Sequence, residues 1–412
     1  MNTPFAPFRV GLNYWPSRTA MAWWQRFQAS EVAADFAGIA AAGFDSVRLF
    51  LTWESFQPRP DEVSTAMVDR LVSTLEIAEK AGLRIMPTLF TGHMSGANWI
   101  PPWALGGADG DARFRVISGA RVVDAGIRNW YSDVHVARAQ ARLADALARA
   151  LAGHPALWAW DLGNEASNCV RPATRLHATD WLRRIGDALR EADPGVLLTI
   201  GLHSEDLEQD RMLGPAQAAE VADFVTMHGY PGYVKWARDP TDHALLPFLV
   251  HITRWLAGGL PVLFSEFGVP TRRASDPMSA RALTRQGVPL VEEVAAAEYI
   301  GNALRGLHGA GATGAMVWCH ADYAEQTWTS PPLDLAVHER VFGQWRTDGS
   351  AKPSLAVISA FARERQRAVA AAGADWIDIE RGEFEAAPGS NLPRLYERYL
   401  ATEASAASQL DE

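Results

Sequence analysis

Cysteine is nearly missing from this chain: Cys169 and Cys319 are the two present in 412 residues. Two are too few for a disulfide framework, so the expectation is a pair of reduced thiols and a cytoplasmic protein. No run rich in Lys and Arg occurs, and the formal net charge is -10. The field around such a protein repels both phosphate backbones and anionic lipid, which excludes nucleic acid and membrane surfaces as expected partners. No window of about 18 apolar residues exists to span a bilayer. The opening MNTPFAPFRV lacks the charged start and long apolar centre of a secretory signal. The turn after the first apolar run reads NYWPSR, without the glycines that a dinucleotide-binding turn requires. No two histidines share ligand spacing, so neither a metal site nor any other cofactor is expected. No feature of the sequence addresses oligomeric state.

What the chain does have is a repeated unit. With 48% hydrophobic and 21% charged residues, it can bury a large core. Eight short apolar runs recur: FRVGLNY from Phe8, SVRLFL from Ser46, LRIMPTLF from Leu83, LWAWDLG from Leu157, VLLTIG from Val196, FVTMHGY from Phe224, PVLFSEFG from Pro261 and GAMVWC from Gly314. Their near-continuous apolar character suits strands buried on both faces. Amphipathic helical patterns lie between them, and three end on a capping glycine: Gly43, Gly82 and Gly153. Strands alternating with helices imply parallel pairing with right-handed crossovers, and eight such units predict a closed (β/α)8 TIM barrel. The expected boundaries are a barrel over residues 1–370 and an extension over 371–412 that packs on it. In that extension WIDIERGEF reads as an added strand and the last ten residues as disordered. A long loop, Thr91 to Ser132, follows strand three and is expected to be functional.

Barrel chemistry sits where strands end. Strand two carries Arg48, and His93 follows strand three. Strand four ends in Asn164-Glu165, strand six in His228-Gly229-Tyr230, strand seven in Glu266 and strand eight in Trp318. Each alone has a structural explanation, such as a cap, an ion pair or a satisfied core histidine; their joint placement is what informs. Two carboxylates converging on one mouth suit glycosidic cleavage, in which one protonates the departing oxygen and the other attacks the anomeric carbon. Arg48 would keep Glu266 ionised by charge pairing. Tyr230 would donate to the same carboxylate, Asn164 would hold a sugar 2-hydroxyl, and Trp318 would floor the cleavage subsite.

Trp is abundant, with 16 residues, and the plain explanation is that it fills a large core. Trp15, Trp53, Trp99, Trp103 and Trp236 lie in polar, loop-like contexts and are expected to stack on sugar faces. His203, Glu205 and Asp322 are expected to bind hydroxyls at the mouth, with Asp206, His320 and Asp334 as further polar groups there. For each, a solvated loop residue is the competing explanation. Cys169 and Cys319 fall just past strands four and eight and take no catalytic role.

LGNEAS, MHGYP, FSEFG and MVWC, with VRLF upstream, resemble the strand-end motifs of clan A glycoside hydrolases, most closely family 5. Arg48, His93, Asn164, Glu165, His228, Tyr230, Glu266 and Trp318 match that family's ordered set, over roughly Val10 to Leu355. The resemblance implies Glu165 as acid/base, Glu266 as nucleophile and a retaining reaction on a β-linkage. GLNYWPS, FTGHMSG and the stretch from Pro331 to Ser354 look similar to the β-mannosidase-like and mannanase-like branches. The implied partner is therefore an oligosaccharide. An exo-acting β-mannosidase on short oligosaccharides is the first reading, and endo-β-1,4-mannanase or endoglucanase the second. A transglycosylase or a non-catalytic sugar-binding barrel stays open behind them.

Overall fold

The computed structural model describes residues 7–106, 113–274, 288–364, 367, 369–370 and 373–410, the last five through their backbone. Eight parallel strands form the barrel: β1 Arg9–Tyr14, β2 Ser46–Phe50, β3 Arg84–Thr88, β4 Ala159–Asn164, β5 Leu197–Gly201, β6 Val225–His228, β7 Val262–Phe267 and β8 Gly314–Val317. Around the sheet their order is β6-β7-β8-β1-β2-β3-β4-β5. The remaining seam, β5 to β6, is closed by a single parallel bridge, His203 to His228, with the His228 N–H donating to Leu202 O at 2.8 Å. All eight expected strands are present within two residues of their predicted bounds, because each is buried on both faces and carries the apolar run that such burial selects.

The outer helices are α1 Ala29–Ala41, α2 Thr65–Ala81, α3 Val134–Leu151, α4 Arg175–Ala192, the short α5 Pro215–Ala219, α6 Leu245–Leu256, α7 Glu293–Gly309 and α8 Pro353–Arg363. Gly43, Gly82 and Gly153 all hold positive φ (97°, 73° and 70°), the conformation that ends a helix without a Cβ clash. Asp133 accepts from the N–H groups of His135 and Val136 and so caps α3.

The extension differs from expectation. WIDIERGEF contains no strand; a helix runs over Arg381–Ala386 and a longer one over Pro388–Leu410. A closed barrel has no free edge for an added strand to pair with. The segment instead buries Trp376, Leu392, Leu395, Tyr396 and Tyr399 against the barrel's shell. Residues 403–410, expected to be disordered, continue that helix; residues 411–412 lie outside the described residues, as do 107–112 of the loop after β3.

Candidate active site

Every register shift in the barrel ladder falls where the candidate residues are. β4 slips against β5 between Asp161 and Asn164. β6 slips against β7 between Met227 and His228. β7 slips against β8 between Phe264 and Phe267, the interval that holds Glu266. Such irregularities re-aim side chains at strand ends. Glu165 itself sits at φ 45°, ψ 45°, a left-handed conformation that costs a non-glycine residue about 1–3 kcal/mol and that clusters at functional sites. Its N–H donates to Gly201 O at 2.9 Å, which holds the turn.

Arg48 organises the floor. It is fully buried, its Nη1 contacts Glu266 Oε1, and its Nη2 reaches Asn164 Oδ1 at 2.8 Å. Asp161, also fully buried, anchors it: Arg48 Nε and Nη2 donate to Oδ2 at 2.9 and 2.6 Å. Thr88 Oγ1 and the N–H groups of Gly201 and Gly163 complete the Asp161 carboxylate at 2.7, 2.8 and 3.2 Å. Burial opposes the Arg48 charge, but Asp161 and Glu266 outweigh it and hold its pKa above the ordinary value. Gly201 is required here, since a Cβ would come within 2.8 Å of Arg48 Nη2 and of Gly163 O.

Glu266 also accepts from Tyr230 Oη at 2.7 Å, so both of its oxygens are engaged by donors. Burial, then the Glu266 charge, pushes the Tyr230 phenol far above its ordinary pKa and keeps it a donor. Across the mouth, Glu165 Oε1 lies 2.9 Å from His228 Nδ1, and Asn168 Nδ2 donates to Oε2 at 3.0 Å. His228 Nε2 has no hydrogen-bond partner among the described residues; a buried orphan N–H is costly, which favours the proton on Nδ1, facing Glu165. One oxygen each of Glu165 and Glu266, with one His228 nitrogen, lie within 4.8 Å of one another. That spacing suits a small cation, but Arg48 already sits on Glu266.

Burial works to raise the Glu165 carboxyl, yet the fields of His203, His228 and His93 and the His228 hydrogen bond outweigh it and hold it below the usual carboxylate range. His93, 3.9 Å from Glu165, is depressed by burial despite that carboxylate. Its Nδ1 meets Asn98 Oδ1 at 2.8 Å, and Phe114 lies against its ring at 4.3 Å.

The structure thus brings Arg48, His93, Asn164, Glu165, His228, Tyr230 and Glu266 together. Trp318 is 3% exposed and meets Phe50 edge-on at 5.8 Å; its peptide bond to Cys319 is cis. Asn164 has both polar ends engaged, accepting from Arg48 and donating to His93 O at 2.6 Å. His203 sits on the Glu165 side, with Ser167 Oγ and Arg211 Nη1 at 3.1 and 3.3 Å.

Other expected sugar contacts are placed elsewhere. Trp15 is 0% exposed and stacked on Phe50 at 5.4 Å, and Trp53 is 1% exposed among Phe90, Trp103 and Trp130. Both are core, with no face open to a ligand. Trp103 is partly buried and donates to Gln57 O at 3.0 Å; Trp99, also partly buried, lies in the small sheet of the loop after β3. Trp236 packs on Phe248 and on Tyr396 of the extension. Asp322 is consumed by a buried ion pair with Lys352 at 2.6 Å, and Glu205 by Arg113 and Arg211. Burial pushes both thiols above their ordinary pKa, so neither is activated.

The loop after β3 is built, not loose. Its strands His93–Met94, Ala97–Trp99, Arg115–Ser118 and Arg121–Val123 form a small sheet. It is tied to the loop after β8 by Arg115, which grips both Asp334 oxygens at 2.7 and 3.0 Å. A second tie runs from Ser95 Oγ to Glu339 Oε2 at 3.1 Å. Asp334, expected as a mouth residue, is therefore a latch.

Comparison with known proteins fits this geometry. The family model for cellulase, glycosyl hydrolase family 5, matches residues 8–288. A putative mannan endo-1,4-beta-mannosidase 5 of Oryza sativa subsp. japonica is 26% identical over 360 residues, 76% of this chain and 66% of its own length. Mannan endo-1,4-beta-mannosidase A of Podospora anserina is 27% identical over 175 residues, 39% of this chain and 45% of that relative. The chain thus spans about half to two thirds of these relatives. Among solved structures, GH5_18 from Streptomyces cattleya in complex with GlcNAc superposes with a TM-score of 0.79 at 24% identity, covering 97% of this chain and 92% of that one. An exo-beta-1,4-mannosidase from Opitutaceae bacterium strain TAV5 does so at 0.69 and 29%, covering 87% and 60%. With the family model matching well over half of its residues, the chain belongs to glycosyl hydrolase family 5.

Proposed function

We propose that this protein is a retaining β-glycoside hydrolase that removes a single terminal sugar, a β-mannoside, from short oligosaccharides. The observation that carries the reading is the Glu165–Glu266 pair, with an oxygen of each within 4.8 Å. Retaining enzymes hold their carboxyl groups about 5–5.5 Å apart, whereas inverting enzymes need about 6.5–9.5 Å to admit water. Glu266, kept ionised by Arg48 and oriented by Tyr230, attacks the anomeric carbon, and Glu165 protonates the departing oxygen. In the free site the fields around Glu165 favour its carboxylate, so Glu165 must gain a proton before it acts as the acid. Once Glu266 becomes a neutral ester its negative field vanishes. The Glu165 pKa then falls further, and Glu165 takes a proton from water in the second half-reaction. No cofactor enters this scheme.

Exo action is supported by the Arg115–Asp334 latch, which joins two loops over one side of the mouth, and by the exo-acting similar structure. The endo reading is favoured by the similarity to the two mannan endo-1,4-beta-mannosidases. Two free thiols support a reducing, cytoplasmic setting.

Proton NMR of aryl β-mannoside hydrolysis tests the reaction: β-mannose must appear first, and α-mannose first would overturn retention. Product profiles on mannan oligomers separate the modes, since mannose alone means exo and a ladder of oligomers means endo. Glu165→Ala and Glu266→Ala serve as the inactive controls.

A further inference from the structure

Glu339 is a third carboxylate at the mouth, in the loop after β8; it lies within the Pro331–Ser354 stretch, which gave it no role of its own. It is 8% exposed. Its donors are two hydroxyls, Ser95 Oγ to Oε2 at 3.1 Å and Tyr233 Oη to Oε1 at 3.2 Å, with His338 Nε2 at 3.5 Å. No Lys or Arg lies within ion-pair distance of it among the described residues, unlike the buried Asp161 and Asp322. A carboxylate has room for about four donors, and a buried anion left with two long hydrogen bonds is under-satisfied. Its charge reaches both sides of the reaction centre: it acts on His93, which faces Glu165, and on Tyr230, which holds Glu266. Tyr233 itself is 45% exposed, and its ring lies 5.4 Å from that of Tyr230.

The direction of the substrate follows from the chemistry. The sugar being transferred rests against the nucleophile, and the leaving group departs past Glu165. Glu339 bonds the loop after β6 and stands in the loop after β8, the two loops that flank the nucleophile strand β7. It therefore belongs to the end that holds the transferred sugar. Ser95 brings in the loop after β3, so Ser95, Glu339 and Tyr233 join three loops across that end.

We infer that Glu339 is a specificity-determining residue whose carboxylate accepts hydrogen bonds from the 3- and 4-hydroxyls of the terminal sugar and, by requiring them free, rejects a chain extended at that edge. Neutral hydroxylated sugars supply the donors the carboxylate lacks, and a uronate there meets repulsion. This inference rests on the β-glycosidase reading above.

The test compares wild type and Glu339→Gln on an aryl β-mannoside and on its 3-deoxy and 4-deoxy analogues. A hydrogen bond to a charged group is worth about 1.5–3 kcal/mol, or roughly 10- to 150-fold. Glu339→Gln is expected to lower kcat/KM on the parent by that factor and to lose most of the wild-type preference for parent over at least one deoxy analogue. An equal fall on parent and both analogues, or no fall, would overturn the inference while leaving the glycosidase reading intact. Absence of wild-type turnover on any aryl β-glycoside would overturn that reading and this inference together. Glu339→Asp, which keeps the charge but withdraws it by a methylene, is read in the same way should the Gln variant not fold, as judged by its circular dichroism and melting.

Discussion

Glu266 is held by two donors with different tasks. Arg48 supplies charge from beneath, and Tyr230 supplies direction from the side. Tyr230→Phe leaves the charge and removes the direction, so kcat/KM should fall about 10- to 100-fold with little change in Tm, which steady-state kinetics and a thermal melt will read. Glu165 is governed by imidazoles, His203 foremost among the groups that lower it. His203→Gln removes a field that favours the carboxylate, so the Glu165 pKa rises. Because the protonated form is the acid, the alkaline limb of the kcat/KM profile should move to higher pH. A limb that stays in place, or moves to lower pH, would sink that assignment. At this scale the ordered strand-end residues were legible, since each follows an apolar run. Asp161 was not: it lies inside LWAWDLG, where a lone acid reads as part of the strand. Trp15 and Trp53 were misread because a polar neighbourhood in sequence says nothing about which way a large ring packs.

Among the elements, β4 and β5 are shaped around one buried guanidinium. Removing the Asp161 carboxylate takes from the fully buried Arg48 the anion that binds its Nε and Nη2 and leaves it ion-paired with Glu266 alone. Asp161→Ala should cost about 3–5 kcal/mol of stability, read as a lowered urea midpoint, and should abolish activity with it. The strands and most helix ends were legible because doubly buried runs and capping glycines leave strong local signals. WIDIERGEF was not, since its alternation of apolar and acidic residues mimics a half-buried strand. Only the closed sheet, which offers no partner edge, decides against it. The latch between the loops after β3 and β8 was equally hidden: Arg115 and Asp334 are 219 residues apart, and nothing local pairs them.

For the molecule as a whole, the C-terminal segment acts as a clasp on α6. His251 on that helix meets the rings of Trp376 and Tyr399 at 5.9 and 6.0 Å. Burial, with help from Arg254, pushes its pKa down to about 4 from 6.5. The neutral form is therefore the native one. Its contribution is complete above about pH 6.5 and is lost as pH falls through about 4, an effect on the order of 3 kcal/mol at most. His251→Phe should flatten the dependence of Tm on pH across that window relative to wild type. An unchanged slope would refute the linkage.

The barrel's seam carries a consequence of its own. Six of its eight strand junctions are ladders of three or more paired residues, β3 to β4 pairs at Thr88–Asp161 with a bridge at Ile85–Leu157, and β5 to β6 has one bridge, His203 to His228. Those two histidines are also two of the three whose fields lower Glu165. The hinge pin of the cylinder is thus wired to its proton supply. Slack at this junction is felt first as a mistuned acid, so on gentle warming the rate should decay while far-UV ellipticity still reports an intact barrel. The catalyst would act as the earliest strain gauge of its own scaffold.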